Sequence, residues 1–296
     1  MSTSIELYLE QLRGELQGSD PAMIQDALSD AEEHLRTALA HVLQGDPGTS
    51  PEQALGTVIE EYGSPAEVAA AYREIETRLM PSLAPPVPGD GRSWFAKFFG
   101  VVVEPRAWGA IFYLLFSLMS GIIYFTWAVT GLSLTAGFAV LIIGVPFLVF
   151  FILSIQGIAL VEGRIIEALL GIRMPRRPIA SKQHLGFWKW LAALFKDKRS
   201  WTTIIYMILM MPLGIIYFTF VITFLSVGLW GISHPLWQYY LNMPVMQFGE
   251  VEIFYPGWLS PLVIVVGVLW ILLTMHMAKG LGKLHGKLAK ALLVKE

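Results

Sequence analysis

The sequence predicts an all-α protein, with a small cytoplasmic helical head joined to a four-helix transmembrane domain. Three observations predict it. The chain of 296 residues is 55% hydrophobic and only 15% charged, too apolar for an ordinary soluble domain. No Asp, Glu, Lys or Arg occurs across the 55 residues 107–161, nor across the 50 residues 200–249. A bilayer crossing needs about 20 apolar residues, so these stretches are long enough to cross. The charges are also segregated. Residues 1–80 hold 15 Asp/Glu and 4 Lys/Arg, a net of −11, and the remainder carries +9.

The head is expected over residues 1–80. Ile5, Leu9, Leu12 and Leu16 recur at helical spacing, and Gly18 ends that run. Asp20-Pro21 starts a second helix as N-cap and first helical residue, with Ile24, Leu28, Ala31, Leu35, Leu39 and Val42 on one stripe. Asp26, Asp30 and Glu33 lie on the other side. Ser50-Pro51 and Ser64-Pro65 start two more helices, each with a Gln or Glu three residues after the cap, the pattern of a capping box. Four short helices bury only a small core, so the head is expected to dock. Residues 81–93 (PSLAPPVPGDGRS) read as a semi-stiff Pro/Gly linker.

YLEQLRGEL, the long acidic helix and SPEQALGTVIEEYGSPAEVAAAY resemble the HAAS signalling domain of bacteria. That resemblance implies a small α-helical module of cytoplasmic or membrane-attached proteins. It also implies a functional link to PadR-type transcriptional regulators.

The membrane domain is expected over 94–296 as two repeats, 94–171 and 186–296. Gly121-Ile-Ile-Tyr-Phe-Thr126 recurs letter for letter as Gly214-Ile-Ile-Tyr-Phe-Thr219, at an offset of 93 residues. Arg106, Trp108, Tyr113, Thr130 and Ser133 fall on Arg199, Trp201, Tyr206, Thr223 and Ser226 at the same offset. The second halves align at offset 123, where Gly144, Gly157 and Gly163 meet Gly267, Gly280 and Gly286. The change of offset marks a 30-residue insertion at 229–258. Crossings are expected at 108–130, 137–160, 201–227 and 259–279, with a tight turn at 130–137. Two crossings per copy predict parallel repeats.

Lys and Arg set the orientation. The 130–137 turn and the insertion have none, whereas Arg164, Arg173, Arg176, Lys196, Lys198 and Arg199 crowd the central connection. Lys279, Lys283, Lys287 and Lys290 fill the C-terminal end. A multi-pass protein of the bacterial inner membrane follows, with both termini cytoplasmic and the insertion outside. Ser93–Phe99 and its counterpart 186–192 read as amphipathic helices lying on the inner leaflet.

The duplicated core, with Ile143-Gly-Val-Pro-Phe147 and Glu162-Gly-Arg164, resembles the "Putative sensor" membrane domain often carried by actinobacterial histidine kinases. The kinase core is not carried over, because only about 17 residues follow Lys279.

Each feature with chemical content has two readings. Gly121, Tyr124, Gly214 and Tyr217 fit helix packing, with glycine allowing close approach. Their matched positions also fit a shared pocket. Ala278, Gly282 and Gly286 form a close-packing stripe at i, i+4 and i+8, and Ala159 and Gly163 stand at the places of the first copy that match its last two. In the insertion, Trp230, His234, Trp237, Tyr240, Glu250, Glu252 and Tyr255 fit an interfacial aromatic lid or an extracytoplasmic sensing surface. On the second reading Glu250 and Glu252 face a cationic ligand, while one His with carboxylates 16 and 18 residues on is only a weak metal signal, so no metal site is assigned. Glu162, Arg164 and Glu167 read as a solvated or lipid-facing helix end, or as a place that receives the head. Lys279, Lys283 and Lys287 read as an anchor on anionic lipid, or as a dock for Asp26, Asp30 and Glu33.

No cysteine occurs, and no phosphate loop, zinc-protease helix or nucleophile triad is present, so no enzyme and no cofactor are expected. The uncharged spans lack the intramembrane charges that pumps use. The expected function is a membrane sensor or regulatory adaptor that passes an envelope or lipophilic signal to a cytoplasmic protein such as a PadR-like regulator. A small transporter, or an auxiliary subunit of one, is the alternative. Expected partners are membrane lipids and that cytoplasmic protein, without direct nucleic-acid contact; association with a second copy is left open.

Overall fold

The computed structural model describes residues 2–46, 48–78, 83, 93–138, 141, 143–176 and 196–294. Among the described residues the fold is all-α apart from one small hairpin. The head holds α1 (Ser2–Glu15), α2 (Pro21–Gly45), α3 (Pro51–Tyr62) and α4 (Pro65–Arg78). Each N-cap read from the sequence is made, and of the two expected capping boxes the one at Ser64 is reciprocal. The Asp20 carboxylate accepts from the Ala22 amide at 2.9 Å, and the Ser50 hydroxyl accepts from Gln53 at 3.3 Å. Ser64 and Glu67 close a reciprocal box: the Ser64 amide donates to Glu67 at 2.8 Å, and the Glu67 amide donates to the Ser64 hydroxyl at 3.4 Å. Leu12, Leu16, Leu35 and Val58 pack in one core with Tyr8, whose hydroxyl donates to the Gly63 carbonyl at 2.8 Å. Burial, with the nearby Glu67 charge, pushes the Tyr8 phenol up to about 12.

After α5 (Trp94–Phe99) come, among the described residues, four helices long and apolar enough to cross a membrane. They are α6 (Pro105–Phe138), α7 (Gly144–Leu170), α8 (Lys198–Leu241) and α9 (Ser260–Leu293). Several boundaries differ from the sequence reading. The turn expected at 130–137 is helical. Nothing there carries a charge or breaks the backbone pattern, and Gly131 serves close packing: a Cβ on it would sit 1.9 Å from the Phe151 ring. The break falls after Phe138, and Pro146 is then accepted in the first turn of α7, where no backbone donor is needed.

The insertion is not a separate lid throughout. α8 continues to Leu241 across Pro212 and Pro235, and Asn242 then turns the chain at φ 49°. A two-stranded antiparallel hairpin follows, β1 (Met246–Phe248) with β2 (Val251–Ile253), turned at Gly249. Likewise α9 runs on past 279 through the lysine ridge. Most of the linker 81–93, and the segment 186–192 matched to Ser93–Phe99, lie outside the described residues.

Internal contacts divide the chain into two compact units. One comprises Met1–Ala84, Ala128–Tyr206 and Gly286–Glu296; the other comprises Pro85–Trp127 and Met207–His285. In the second unit the two GIIYFT copies meet. A Cβ on Gly121 would lie 2.5 Å from the Met210 carbonyl oxygen, and one on Gly214 would lie 2.4 Å from that of Ser117. Further along, Tyr113 of α6 and Tyr217 of α8 both meet the His285 ring, the first tilted against it and the second edge-on. Pairs 113/217, 117/214 and 121/210 therefore advance along one helix while retreating along the other. The copies meet in antiparallel register at this seam, where counting two crossings per copy predicts parallel ones. Crossing number fixes direction only if the connection between the copies stays on one side, and residues 177–195 of that connection are outside the described set.

Candidate functional site

In the first unit the acidic head meets a basic turn. α7 ends at Gly171, which adopts φ 67° and lies so close to Leu83 that a Cβ would fall 2.0 Å from the Leu83 carbonyl oxygen. Only glycine fits both demands. The chain then runs through Ile172–Arg176 across two helix glycines. Gly163 of α7 packs at Met174, where a Cβ would lie 3.3 Å from the Met174 Cβ, and Gly286 of α9 packs at Ile172. The small-residue positions read from the sequence thus seat this turn; Gly282 is also buried.

Seated there, Arg173 and Arg176 face the head. Arg173 Nη2 donates to Asp26 Oδ2 and Nε donates to Glu76 Oε1, both at 2.8 Å, while Nη1 donates to its neighbour's carbonyl. The Arg176 amide donates to Asp26 at 2.7 Å, and its guanidinium donates to Glu167 at 2.6 Å. Arg164 donates to the other Glu167 oxygen at 2.9 Å. Lys290 of α9 pairs with Asp20 at 2.5 Å. The Arg173 and Asp26 side chains are each only 9% exposed. Burial alone would push the Arg173 guanidinium down, but hydrogen bonds to Glu76 and Asp26, and their charges, outweigh it and raise it. A planar fork that binds two carboxylates at once suits Arg, not Lys.

Residues expected to dock the head are distributed differently. Asp26 is in the network. Asp30 accepts from Tyr72 inside the head, and Glu33 is exposed. Lys279 pairs with Glu104 at 2.5 Å, while Lys283 and Lys287 are exposed. The basic side is made by Arg173, Arg176 and Lys290. The sequence signal for Arg173 and Arg176 is the basic cluster after Gly171, which also sets the orientation, and Lys290 belongs to the C-terminal lysines. Glu162 and Glu167, read as a solvated helix end or a head-receiving place, are buried at 1% and 8%. Glu162 accepts from Tyr206 at 2.8 Å, and Glu167 binds Arg176.

That buried pair has a counterpart in the second unit. Tyr206 is the repeat equivalent of Tyr113, at offset 93, and Glu162 that of His285, at offset 123. Tyr113 Oη meets His285 Nε2 at 2.5 Å. In both cases a tyrosine of one copy hydrogen-bonds the other copy's residue just before the packing glycine. Tyr124 and Tyr217 are buried.

The insertion residues lie in the second unit. His234 is 3% exposed, with Nδ1 at 3.4 Å from the Tyr255 hydroxyl and Nε2 at 3.3 Å from the Pro244 carbonyl oxygen; its ring also lies tilted against Trp230. Trp237, Tyr240, Glu250 and Glu252 are exposed, and Glu252 stands opposite Gln247 in the hairpin. The structure thus gathers Trp230, His234 and Tyr255 into one cluster and leaves the carboxylates outside it. Among the described residues no group of His, Asp and Glu could hold a metal ion.

The sequence model of the family described as "Putative sensor" matches residues 113–293. No curated protein and no solved structure matches the chain.

Proposed function

The chain belongs to the Putative sensor family, and from that premise we propose that it is a non-enzymatic membrane sensor whose output is the holding and release of its own head. One observation carries this reading: the buried fork from Arg173 to Asp26 and Glu76. A pair of this kind adds little net stability but is costly to break from one side, because a buried charge is left unpaired. It therefore suits a contact with two defined states. On this reading the head is a HAAS-like module and the four apolar helices lie in the bacterial inner membrane. Release exposes the acidic face of α2, around Asp26 and Asp20, to a cytoplasmic protein such as a PadR-like regulator.

The test uses the full chain in its own membranes. Arg173→Ala is expected to raise amide exchange in α2 and α4 and to increase co-purification of the regulator. Asp26→Ala alone should raise exchange similarly, and the double variant should cost less than the two single effects added. Unchanged regulator recovery from a variant whose head has opened would sink the reading.

A further inference from the structure

The first unit contains a cavity of about 430 Å³. Its wall includes Thr135 and Ala136 of α6, Leu148 and Phe151 of α7, and Trp201 and Ile204 of α8. The volume falls within the roughly 300–1,000 Å³ typical of small-ligand sites. The wall is apolar almost throughout, and the three helices that build it have membrane-crossing length and hydropathy. At one border the character changes abruptly. Ser200, also in the wall, directly follows Lys196-Asp197-Lys198-Arg199, three cations and one acid. Lys196 and Lys198 are exposed, and Asp197 accepts from the Ser200 hydroxyl at 3.3 Å. An apolar slot that borders a basic stretch and an exposed tryptophan is complementary to one kind of molecule, with a long hydrocarbon chain and an anionic head.

We propose that this cavity is a binding site for an acyl chain of an anionic membrane lipid, with the headgroup held at Lys196, Lys198 and Arg199. Two of these three helices, α7 and α8, continue directly into the network that holds the head. Five residues after Trp201, Tyr206 donates to Glu162 of α7, and Glu167 one turn further holds Arg176. The lipid thus enters a slot whose walls also carry the head's anchor. The inference rests on the sensor reading only in making the lipid a stimulus. Occupancy is read at Trp201 without reference to the head, so failure of one leaves the other distinguishable.

The experiment is tryptophan quenching of the full chain in nanodiscs of zwitterionic lipid, titrated with brominated-chain phosphatidylglycerol or brominated-chain phosphatidylcholine. The chain has ten tryptophans, so each titration is repeated on Trp201→Phe. The anionic lipid is expected to quench at several-fold lower fraction than the zwitterionic one, with the excess lost in Trp201→Phe. Two fillers, Ala136→Leu and Leu148→Phe, should abolish the excess while retaining wild-type helicity by circular dichroism. Lys196→Gln with Lys198→Gln should remove the anionic preference. Equal quenching by the two lipids overturns the proposal, as does an excess that survives in Trp201→Phe or in both folded fillers. Quenching of Trp201 by a brominated free fatty acid, with none by the anionic lipid, also overturns it by assigning the site to a soluble ligand.

Discussion

Arg173 shows how much one side chain settles. Its fork reaches Asp26 and Glu76 together, and neither distance leaves room for water. Arg173→Lys keeps the charge but offers a single point donor, so it should satisfy one carboxylate and leave the other buried and poorly paired. The expected result is partial opening of the head, less than for Arg173→Ala, read as amide exchange in α4 around Glu76. A second residue-scale expectation concerns Glu67. Hydrogen bonds from the Ser64 amide and hydroxyl hold its carboxyl below the usual value. A lowered folded value means that the contribution is complete above the unfolded value of about 4.3 and is lost as pH falls through the folded one. Protection of the first turn of α4 should therefore decline in that acidic window, and Glu67→Gln should flatten the dependence. A wild-type profile matched by the variant would remove the capping carboxylate from the account. These caps were fully legible beforehand, because a capping box is local and its chemistry lies within four residues.

At the scale of elements, the GIIYFT duplication was legible as a packing seam, and its glycines do allow contact with a neighbouring backbone. Direction was not legible, since it depends on where the connection runs, which no local pattern encodes. The seam separates two kinds of glycine. Gly121 and Gly214 face carbonyl oxygens, which cannot move aside, whereas Gly137 has open space around it. Gly121→Ala and Gly214→Ala should each destabilise by about 1–3 kcal/mol or more, and Gly137→Ala should be close to neutral, as read by thermal melting in detergent. At Gly131 the three atoms nearest an added Cβ all belong to the Phe151 side chain, which gives way more easily than backbone, so the cost of Gly131→Ala should fall between them. Register can be checked directly, because the chain has no cysteine. Ala110→Cys with Val221→Cys follows the observed antiparallel pairing and should join through a short bis-maleimide. Ala110→Cys with Thr203→Cys follows the parallel alternative. Residues 203 and 221 of α8 are about 27 Å apart along the helix, so a linker that reaches one cannot reach the other. Preferential joining of 110 to 203 would restore parallel repeats.

For the molecule as a whole, the split between an acidic head and a basic remainder points to an attachment from sequence alone. It does not say which cations make it. The lysine ridge Lys279, Lys283 and Lys287 is the more regular pattern, yet regular spacing on one helix measures only a face. Arg173 and Arg176 are effective because Gly163 and Gly286 seat the turn that carries them, an arrangement drawing on residues 123 positions apart in sequence. A contact resting on the overall charge split and one resting on the buried fork respond differently to salt. Between 0.1 M and 1 M, the screening length falls from about 10 Å to about 3 Å, which abolishes long-range attraction but acts much less on buried pairs. The Asp20–Lys290 pair, at 32% and 24% exposed, should weaken, whereas Arg173 with Asp26, each at 9%, should hold. Amide exchange around Asp26 is therefore expected to change little up to 1 M salt in the wild type, while Arg173→Ala should open the head already at low salt. Release by salt alone, without any substitution, would mean that diffuse charge holds the head and that the fork is incidental.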